Sequence, residues 1–293
     1  GARRLYTRTG DDISHAFPDI VAAMEFDGTL DGELLVRNAD GTVAPFNALQ
    51  QRLNRKTVSK RQLETHPAFI RAYDLLQDGG QDLRGQAFRE RRMRLEGFVL
   101  GIETDRFDLS PLVPITTLAA LDDARLDPPA PEIEGVMLKR WDSAYLAGRP
   151  KGLWYKWKRD PYLVDAVLMY AQRGHGKRSS FYSDFTFGVW RDEDGEDRLT
   201  PVGKAYFGFT DEELKQLDAF VRANTIDRFG PVRSVTASKE TGVVLEVAFE
   251  GLQRSPRHKS GLAMRFPRIN RIRWDKPTAE ADRLETLEAM LPD

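Results

Sequence analysis

Two short segments in the middle of the chain combine a carboxylate and several lysines with apolar residues in an alternating pattern. The first runs from Glu134 to Lys139 (EGVMLK), and the second runs from Trp154 to Lys158 (WYKWK). Because side chains two positions apart lie on one face of a β-strand, we expect Trp154, Lys156 and Lys158 to share a face. Neighbouring ammonium groups repel each other unless an anion lies between them. A nucleotide phosphate is such an anion, and the pattern therefore indicates a phosphate-binding site.

The charge of the chain is segregated, although its net value is only −1. Residues 139–178 contain ten Lys and Arg against three Asp, and residues 254–276 contain eight against one Asp. Acidic residues are concentrated elsewhere, notably between Asp192 and Asp197 and after Pro277. Two basic blocks separated by an acidic loop favour binding of a polyanion, although solvated surface charge produces the same pattern and stays an open alternative.

The composition excludes several classes of protein. The 293 residues include no cysteine, which excludes disulfides, thiolate catalysis and cysteine-bound zinc, and the four histidines have no metal-ligand spacing. Hydrophobic residues make up 41% of the chain, which is ordinary for a globular protein with a sizeable core. No apolar run approaches the roughly 18 residues of a membrane span. We expect a cytoplasmic monomer that has no membrane partner.

The periodicity of the sequence predicts short strands and a few helices. Strands are expected at 28–36, 69–76, 112–115 and 243–249, and helices at 86–101 and 211–224. Thr210 is the expected N-cap of the second helix. After residue 158 the β-type runs, the first two joined by a basic glycine loop at 172–177, are typical of a small β-barrel of the OB type. We therefore predict a boundary near Arg159 and Asp160, with domains at 1–159 and 160–293.

The ordered motifs of the chain resemble those of covalent nucleotidyltransferases. They are Arg8-Thr9-Gly10, Asp31-Gly32-Glu33, Tyr73-Asp74, the segments at 134–139 and 156–158, and the closing motifs RFPR at 265–268 and RWDK at 273–276. A lone Asp-Gly-Glu is a weak signal, whereas the ordered set is specific. The chain is similar to bacterial ATP-dependent DNA ligases over essentially its whole length. The resemblance implies an α+β fold: a nucleotidyltransferase (adenylation) domain of antiparallel sheets with helices, lacking its first strands, then an OB-fold β-barrel domain.

The resemblance implies a three-step reaction with ATP and Mg²⁺ or Mn²⁺ as cofactors and nicked duplex DNA as the partner. A lysine attacks the α-phosphate of ATP. The AMP passes to the 5′-phosphate at the nick, and the 3′-hydroxyl then displaces AMP and seals the strand. Each step is a phosphoryl transfer, in which positioning and charge neutralisation dominate catalysis.

The resemblance also assigns roles in the nucleotide pocket. Arg8 contacts the 5′-phosphate of the nick or the nucleotide, and Glu33 contacts the AMP ribose or a metal-bound water. Tyr73 stacks on adenine, and Glu134 holds a divalent cation, which prefers carboxylate oxygen. Each of these residues has a structural alternative, such as a turn arginine, a solvent-facing strand residue or a core tyrosine. For Lys139 a role in the site stays open, and a side chain that faces solvent or DNA is the alternative.

Five further residues receive catalytic roles from the resemblance. Lys156 and Lys158 neutralise the α-phosphate, and a solvated strand edge is their structural alternative. Arg273, Asp275 and Lys276 orient the pyrophosphate leaving group of ATP in the first step. For the basic block around them, plain binding of the DNA backbone is the alternative.

The chain departs from the family at the nucleophile. In the family, the reactive lysine lies in a Lys-x-Asp-Gly motif upstream of the Arg-Thr-Gly element, which here begins at Arg8. Residues 25–28 (EFDG) mimic the motif, but they place glutamate where lysine is required, and a carboxylate cannot form the phosphoramidate that lysine forms. We expect an N-terminal truncation and predict that this polypeptide is unable to self-adenylate.

Two other functions stay open. RNA ligases and mRNA capping enzymes share the nucleotidyltransferase core, although the RFPR block and the glycine loop resemble DNA ligases more. A non-catalytic nucleic-acid-binding relative is the second alternative, because the reactive lysine is missing. It predicts salt-sensitive DNA binding without nucleotide dependence.

Overall fold

The structure is a computed structural model that describes residues 1–53, 55–130, 132–148, 150–174, 181–206 and 210–291. The chain divides into two units, Gly1–Arg159 and Asp160–Asp293. Both combine helices with largely antiparallel sheets. Within the described residues, no helix has the length and apolar character needed to cross a membrane. Residues 175–177 of the predicted basic loop lie outside the described residues.

The first unit is built on a four-stranded sheet with helices around it. β2 is its central strand, antiparallel to β1 and β3 and parallel to β4. β5 and β6 form a separate two-stranded ribbon. The elements are α1 (Pro18–Ala23), β1 (Gly28–Val36), α2 (Phe46–Gln50), α3 (Lys60–Thr65), β2 (Ala68–Asp78), β3 (Gln81–Asp82), α4 (Phe88–Leu100), β4 (Phe107–Leu109), α5 (Leu118–Leu126), β5 (Gly135–Lys139) and β6 (Trp154–Lys158).

The core of the first unit lies on both faces of β2, because this strand carries apolar residues in both alternating rows. Ile70 packs in a cluster with Phe17 and Phe107, and Leu75 packs in a second cluster with Leu95 of α4. The strand predicted at 69–76 and the helix predicted at 86–101 are therefore confirmed as β2 and α4. Gly32 lets β1 approach β2 closely, since a Cβ there would lie 2.7 Å from Ile70 Cγ2.

The strand predicted at 112–115 is wrong. Residues 110–116 form no strand, and the short strand in this region, β4, ends at Leu109. Pro111 and Pro114 lack the N–H groups that a strand ladder needs, so the apolar residues between them cannot pair regularly. Leu112 and Val113 are instead exposed.

The second unit contains a closed barrel. Strands β7, β12, β15, β9 and β8 pair in that order, and β8 pairs back with β7 to complete the ring. The β10–β11 hairpin is attached to β7. The elements are β7 (Tyr162–Arg173), β8 (Tyr182–Glu193), β9 (Glu196–Tyr206), α6 (Asp211–Ala223), β10 (Thr225–Phe229), β11 (Val232–Val235), β12 (Val244–Phe249), β13 (Gly251–Arg254), β14 (Leu262–Arg265), β15 (Arg268–Arg273) and α7 (Leu284–Glu288).

Helix α6 begins at a capping box and covers part of the barrel core. The Thr210 hydroxyl accepts a hydrogen bond from the Glu213 amide, and the Thr210 amide donates to the Glu213 carboxylate. Leu217 and Val221 of the helix join a buried cluster that includes Phe187 of β8. The predicted helix and its N-cap are thus confirmed, and the strand predicted at 243–249 corresponds to β12.

Candidate functional site

The β5–β6 ribbon brings predicted site residues together. Antiparallel pairing places Lys158 opposite Gly135 and Lys156 opposite Met137, and residues directly opposite each other project to the same face. Glu134, just before β5, forms an ion pair with Lys158 in which Oε2 and Nζ are 2.8 Å apart. Because their side chains are 30% and 38% exposed, both charged groups are accessible from solvent. The ribbon therefore presents a carboxylate and two ammonium groups together.

Gly135 allows the two strands to close beside Glu134. Its φ of +144° is rarely adopted by other residues, and a Cβ at this position would lie 2.4 Å from the Trp157 carbonyl oxygen and 2.7 Å from Lys158 Cα. Any side chain here would push β6 away from β5. The glycine therefore fixes the distance between the carboxylate of Glu134 and the ammonium of Lys158.

A pair of tyrosine hydroxyls meets one carboxylate at the β1–β2 edge of the site. The Tyr73 hydroxyl donates to Asp31 Oδ1 at 2.8 Å, and the Tyr145 hydroxyl donates to Asp31 Oδ2 at 2.7 Å. Burial, reinforced by the Asp31 carboxylate, raises the pKa of both phenols, so both remain protonated donors. The negative charge of Glu33, two residues further along β1, also raises the Tyr73 pKa, which places Glu33 and Tyr73 in one neighbourhood.

A buried ion pair lies directly behind Tyr73. Asp74 and Arg91 are both fully buried, with Nε–Oδ1 and Nη2–Oδ2 distances of 2.8 and 2.9 Å. Arg91 Nη1 donates to the carbonyls of Gln86 and Ser143 at 2.6 and 3.0 Å. This two-point pairing of a guanidinium with a carboxylate fixes β2 against α4 and against the chain that follows β5.

Lys139 is buried, which rules out the alternative in which its side chain faces solvent. Its side chain is only 9% exposed, and Nζ lies 4.3, 4.6 and 4.7 Å from the ring centroids of Trp154, Tyr73 and Phe88. Asp74 Oδ2 is 3.8 Å away, close enough for attraction but too far for a hydrogen bond. Lys139 lies inward because cross-strand pairing places it beside Trp154, at the end of the ribbon that packs against β2.

Arg8 lies in a turn near the start of the described residues. It is exposed in a turn in which the Gly10 amide donates to the Thr7 carbonyl at 2.9 Å, and Gly10 has a φ of +89°. Within the described part of the chain, no hydrogen bond or ion pair joins Arg8 to another predicted site residue. A ligand-binding role for Arg8 therefore stays a prediction.

The predicted metal residues do not form a closed metal cage. Among the described residues, no group of three or more His, Cys, Asp or Glu side chains is arranged to hold a cation. Mg²⁺ commonly binds through one or two carboxylates, with water and substrate phosphates completing its shell. The solvent-accessible Glu134 carboxylate fits that mode, in which the nucleotide supplies the remaining oxygen ligands.

The basic closing motif of the second unit is organised around Asp165 of β7. Lys276 Nζ is 2.8 Å and Arg273 Nη1 is 3.3 Å from Asp165 Oδ2. Arg273 also binds Asp275 in a two-point contact at 3.0 and 2.9 Å, which lowers the pKa of the exposed Asp275 to about 2. Within this unit, the three predicted residues are therefore brought together, and Asp165 is the carboxylate that joins two of them.

Comparison with known proteins decides the family. The model described as "ATP dependent DNA ligase domain" matches residues 1–158, more than half of the chain, and the model described as "ATP dependent DNA ligase C terminal region" matches residues 178–276. The chain belongs to the ATP-dependent DNA ligase family. The family predicted from the ordered motifs is thus confirmed.

Named relatives of this ligase-family chain agree. A "Probable DNA ligase" of Koribacter versatilis is 37% identical, with 97% of this chain and 52% of the relative covered. A "DNA ligase" of Halorubrum lacusprofundi is 33% identical, with 99% and 47% covered. The chain therefore spans about half the length of these relatives.

Solved structures support the fold. The structure described as "DNA binding with a minimal scaffold: Structure-function analysis of Lig E DNA ligases" has a TM-score of 0.60 at 18% identity, with 92% of this chain and 86% of that chain covered. The structure named "Pmar-Lig_PreS3" has a TM-score of 0.66 at 17% identity, with 92% and 58% covered. At such identities the likeness concerns the fold alone. It confirms the predicted class, an α+β nucleotidyltransferase core with an OB-fold.

Several residues of the site were missed from the sequence. Asp165 could have been found, because it is a lone charge within the apolar strand run YLVDAVLMY. No local sequence pattern marks Tyr145 or Arg91. Tyr145 binds Asp31, which lies 114 positions away, and Arg91 binds Asp74, which lies 17 positions away. Asp31 was part of a quoted motif, but its role as a double acceptor emerges only from the fold.

Proposed function

We propose that this chain works as part of an ATP-dependent DNA ligase and seals nicks in duplex DNA through an enzyme–AMP and a DNA–adenylate intermediate. The observation that carries the proposal is the ion pair of Glu134 and Lys158 at 2.8 Å on the β5–β6 ribbon, where Lys156 shares the face of Lys158. The ribbon offers cations for phosphate oxygens and a carboxylate for a divalent cation. It lies in a chain that belongs to the DNA ligase family.

Within the proposed site, the base and the phosphates of AMP are held by different elements. Tyr73 stacks on adenine, and Glu33 contacts the ribose or a metal-bound water. Lys156 and Lys158 neutralise the phosphate, and Arg8 contacts the nucleotide or the 5′-phosphate. Glu33 and Glu134 are the residues that would hold Mg²⁺ or Mn²⁺, and a bound cation would stabilise negative charge on the phosphate oxygens.

In the proposed final step, the 3′-hydroxyl oxygen attacks the 5′-phosphorus of the DNA–adenylate. A new P–O bond forms, the bond to AMP breaks, AMP leaves with the electron pair, and the hydroxyl proton passes to solvent. Lys156 and Lys158 stabilise the charge on the departing AMP, and loss of one such donor typically costs roughly 10²–10³ in rate. No bond forms to the protein, so this step does not require the reactive lysine.

The second unit supplies the remaining proposed contacts. Arg273, Asp275 and Lys276 orient the pyrophosphate in the first step. Phe266 is a candidate DNA contact, because it is 63% exposed and has a φ of +50°, which is unfavourable for a bulky side chain. Arg265 lies beside it, with the guanidinium 5.3 Å from the ring. An exposed apolar side chain flanked by arginine is suited to the minor groove of DNA.

The test measures sealing of a nicked DNA duplex that already carries AMP on its 5′-phosphate. The protein is present in excess over the DNA, and Mg²⁺ is added. We expect the intact strand and free AMP in equal amounts, and the Glu134→Gln variant is expected to lose most of this activity. The matched control is Glu132→Gln, two residues earlier.

The alternatives predict different outcomes in the same assay. Sealing of a nick between RNA strands but not of a DNA nick would indicate an RNA ligase, a reading that the DNA ligase relatives do not favour. Salt-sensitive DNA binding without any sealed product would indicate a non-catalytic relative. We further propose that the chain acts as a monomer in the cytoplasm, which equilibrium sedimentation and fractionation of cells would test.

A further inference from the structure

Lys139 is held by aromatic rings rather than by hydrogen bonds. Nζ lies within 5 Å of the ring centroids of Trp154, Tyr73 and Phe88, and within the described part of the chain it has no hydrogen-bond partner. An ammonium over an aromatic face is attracted by the ring quadrupole, which makes that face partially negative. Three rings from three elements, β6, β2 and the start of α4, thus converge on one cation from β5.

The charged groups around Lys139 come from β1, β2 and α4. Asp74 and Asp31 favour the ammonium form, whereas Arg91 and Arg92 oppose it. Tyr73 adds no charge, because its phenol remains protonated. Burial outweighs the carboxylates, so the pKa of Lys139 is lowered from its ordinary value.

Keeping this ammonium buried is costly. A buried cation without a hydrogen bond loses its hydration, and the lowered pKa means that rings and carboxylates together do not fully compensate for that loss. Asp74 does not depend on Lys139 for a counter-ion, because Arg91 already binds both of its oxygens. A methionine of similar length would fill the space without this cost. The charge therefore has a purpose other than stability.

We propose that Lys139 is a positioning residue that fixes the β5–β6 ribbon against Tyr73. Its ammonium contacts the ring proposed to stack on adenine. Glu134, just before its own strand, is proposed to bind the metal, and the lysines of β6 are proposed to bind phosphate. Lys139 thereby sets the distance between the base-binding and phosphate-binding parts of the site. The inference rests on the proposed function, since it assigns those two parts to one nucleotide.

The experiment compares the unmodified chain with Lys139→Met, Lys139→Arg and the control Lys151→Met, which removes an exposed lysine from the loop between β5 and β6. Single-turnover sealing of the pre-adenylated DNA nick is measured between pH 7 and pH 10, and thermal unfolding is measured on the same samples. Hydrogen exchange of the amides of residues 135–139 and 154–158 reports how firmly the ribbon is held. This readout does not require enzymatic activity.

We expect Lys139→Met to lower the sealing rate by about 10–100-fold, since small displacements of reacting groups cost up to about 100-fold. Its melting temperature is expected to be unchanged or higher, and exchange in the ribbon is expected to be faster. The sealing rate of the unmodified chain divided by that of Lys139→Met should fall towards one as the pH rises through the lowered pKa of Lys139, because the lysine then loses its charge. Lys139→Arg should retain sealing at high pH, and Lys151→Met should behave like the unmodified chain.

The inference is overturned if Lys139→Met seals at the unmodified rate or leaves exchange in the ribbon unchanged. It is also overturned if rate and melting temperature fall together with a ratio independent of pH, because that result indicates packing alone. If the unmodified chain itself seals no DNA, that result contradicts the proposed function and not the inference about Lys139. The exchange measurement then still decides whether Lys139 positions the ribbon.

Discussion

Removal of the charge on Asp74 should destabilise the first unit strongly. In Asp74→Asn, the fully buried guanidinium of Arg91 loses its anionic partner, and one N–H of Arg91 then faces an amide N–H of the new residue. Breaking a buried ion pair by removal of one partner typically costs about 3–5 kcal/mol. For a unit of this size, each kcal/mol corresponds to about 2–4 °C, so the melting temperature should fall by about 6–20 °C.

The matched control is Asp78→Asn, at the end of the same strand. Asp78 lies 3.8 Å from Arg94, and both side chains are about 40% exposed, so solvent screens the pair and its loss should cost less than about 1 kcal/mol. Urea unfolding gives both free-energy changes, and hydrogen exchange in β2 and α4 localises them. If Asp74→Asn were no less stable than Asp78→Asn, the assignment of the Asp74–Arg91 pair as the support behind Tyr73 would be refuted.

Three further substitutions test separate parts of the site. Gly135→Ala should abolish sealing of the pre-adenylated nick, because its Cβ would meet the Trp157 carbonyl at 2.4 Å, whereas Gly85→Ala has open space and should have no effect. Lys156→Met should slow sealing by roughly 100-fold at saturating DNA, and Lys151→Met should not. Phe266→Ala should weaken binding of duplex DNA roughly tenfold, about 1.4 kcal/mol, in fluorescence anisotropy, without a change in melting temperature; equal weakening by Phe229→Ala would indicate loss of general apolar contact.

Much of the site could be predicted from local patterns. The alternation in WYKWK predicts β6 and the shared face of its lysines, because strand geometry has a period of two residues. The apolar run at 69–76 predicts β2, and Thr210, as an N-cap residue, predicts the start of α6. In each case the decisive interactions lie within a few residues of one another, so sequence spacing carries the information.

The environment of Lys139 could not be predicted in the same way. Its burial depends on Tyr73 and Phe88, which are more than fifty residues away in sequence, and on the packing of the ribbon against β2. The Tyr145–Asp31 hydrogen bond spans 114 positions. The failed strand at 112–115 shows the opposite error, since apolar composition was given more weight than the prolines that prevent pairing.

The most direct test of the account compares two substrates in one experiment with this chain and Mg²⁺. One is a nicked duplex with a 5′-phosphate, supplied with α-labelled ATP, and the other is the same duplex already adenylated at the nick. We expect sealed DNA only from the pre-adenylated duplex, and no labelled protein near 33 kDa. Sealing of neither substrate would contradict the proposed ligase chemistry, and a labelled protein band would contradict the prediction that this polypeptide lacks the nucleophile.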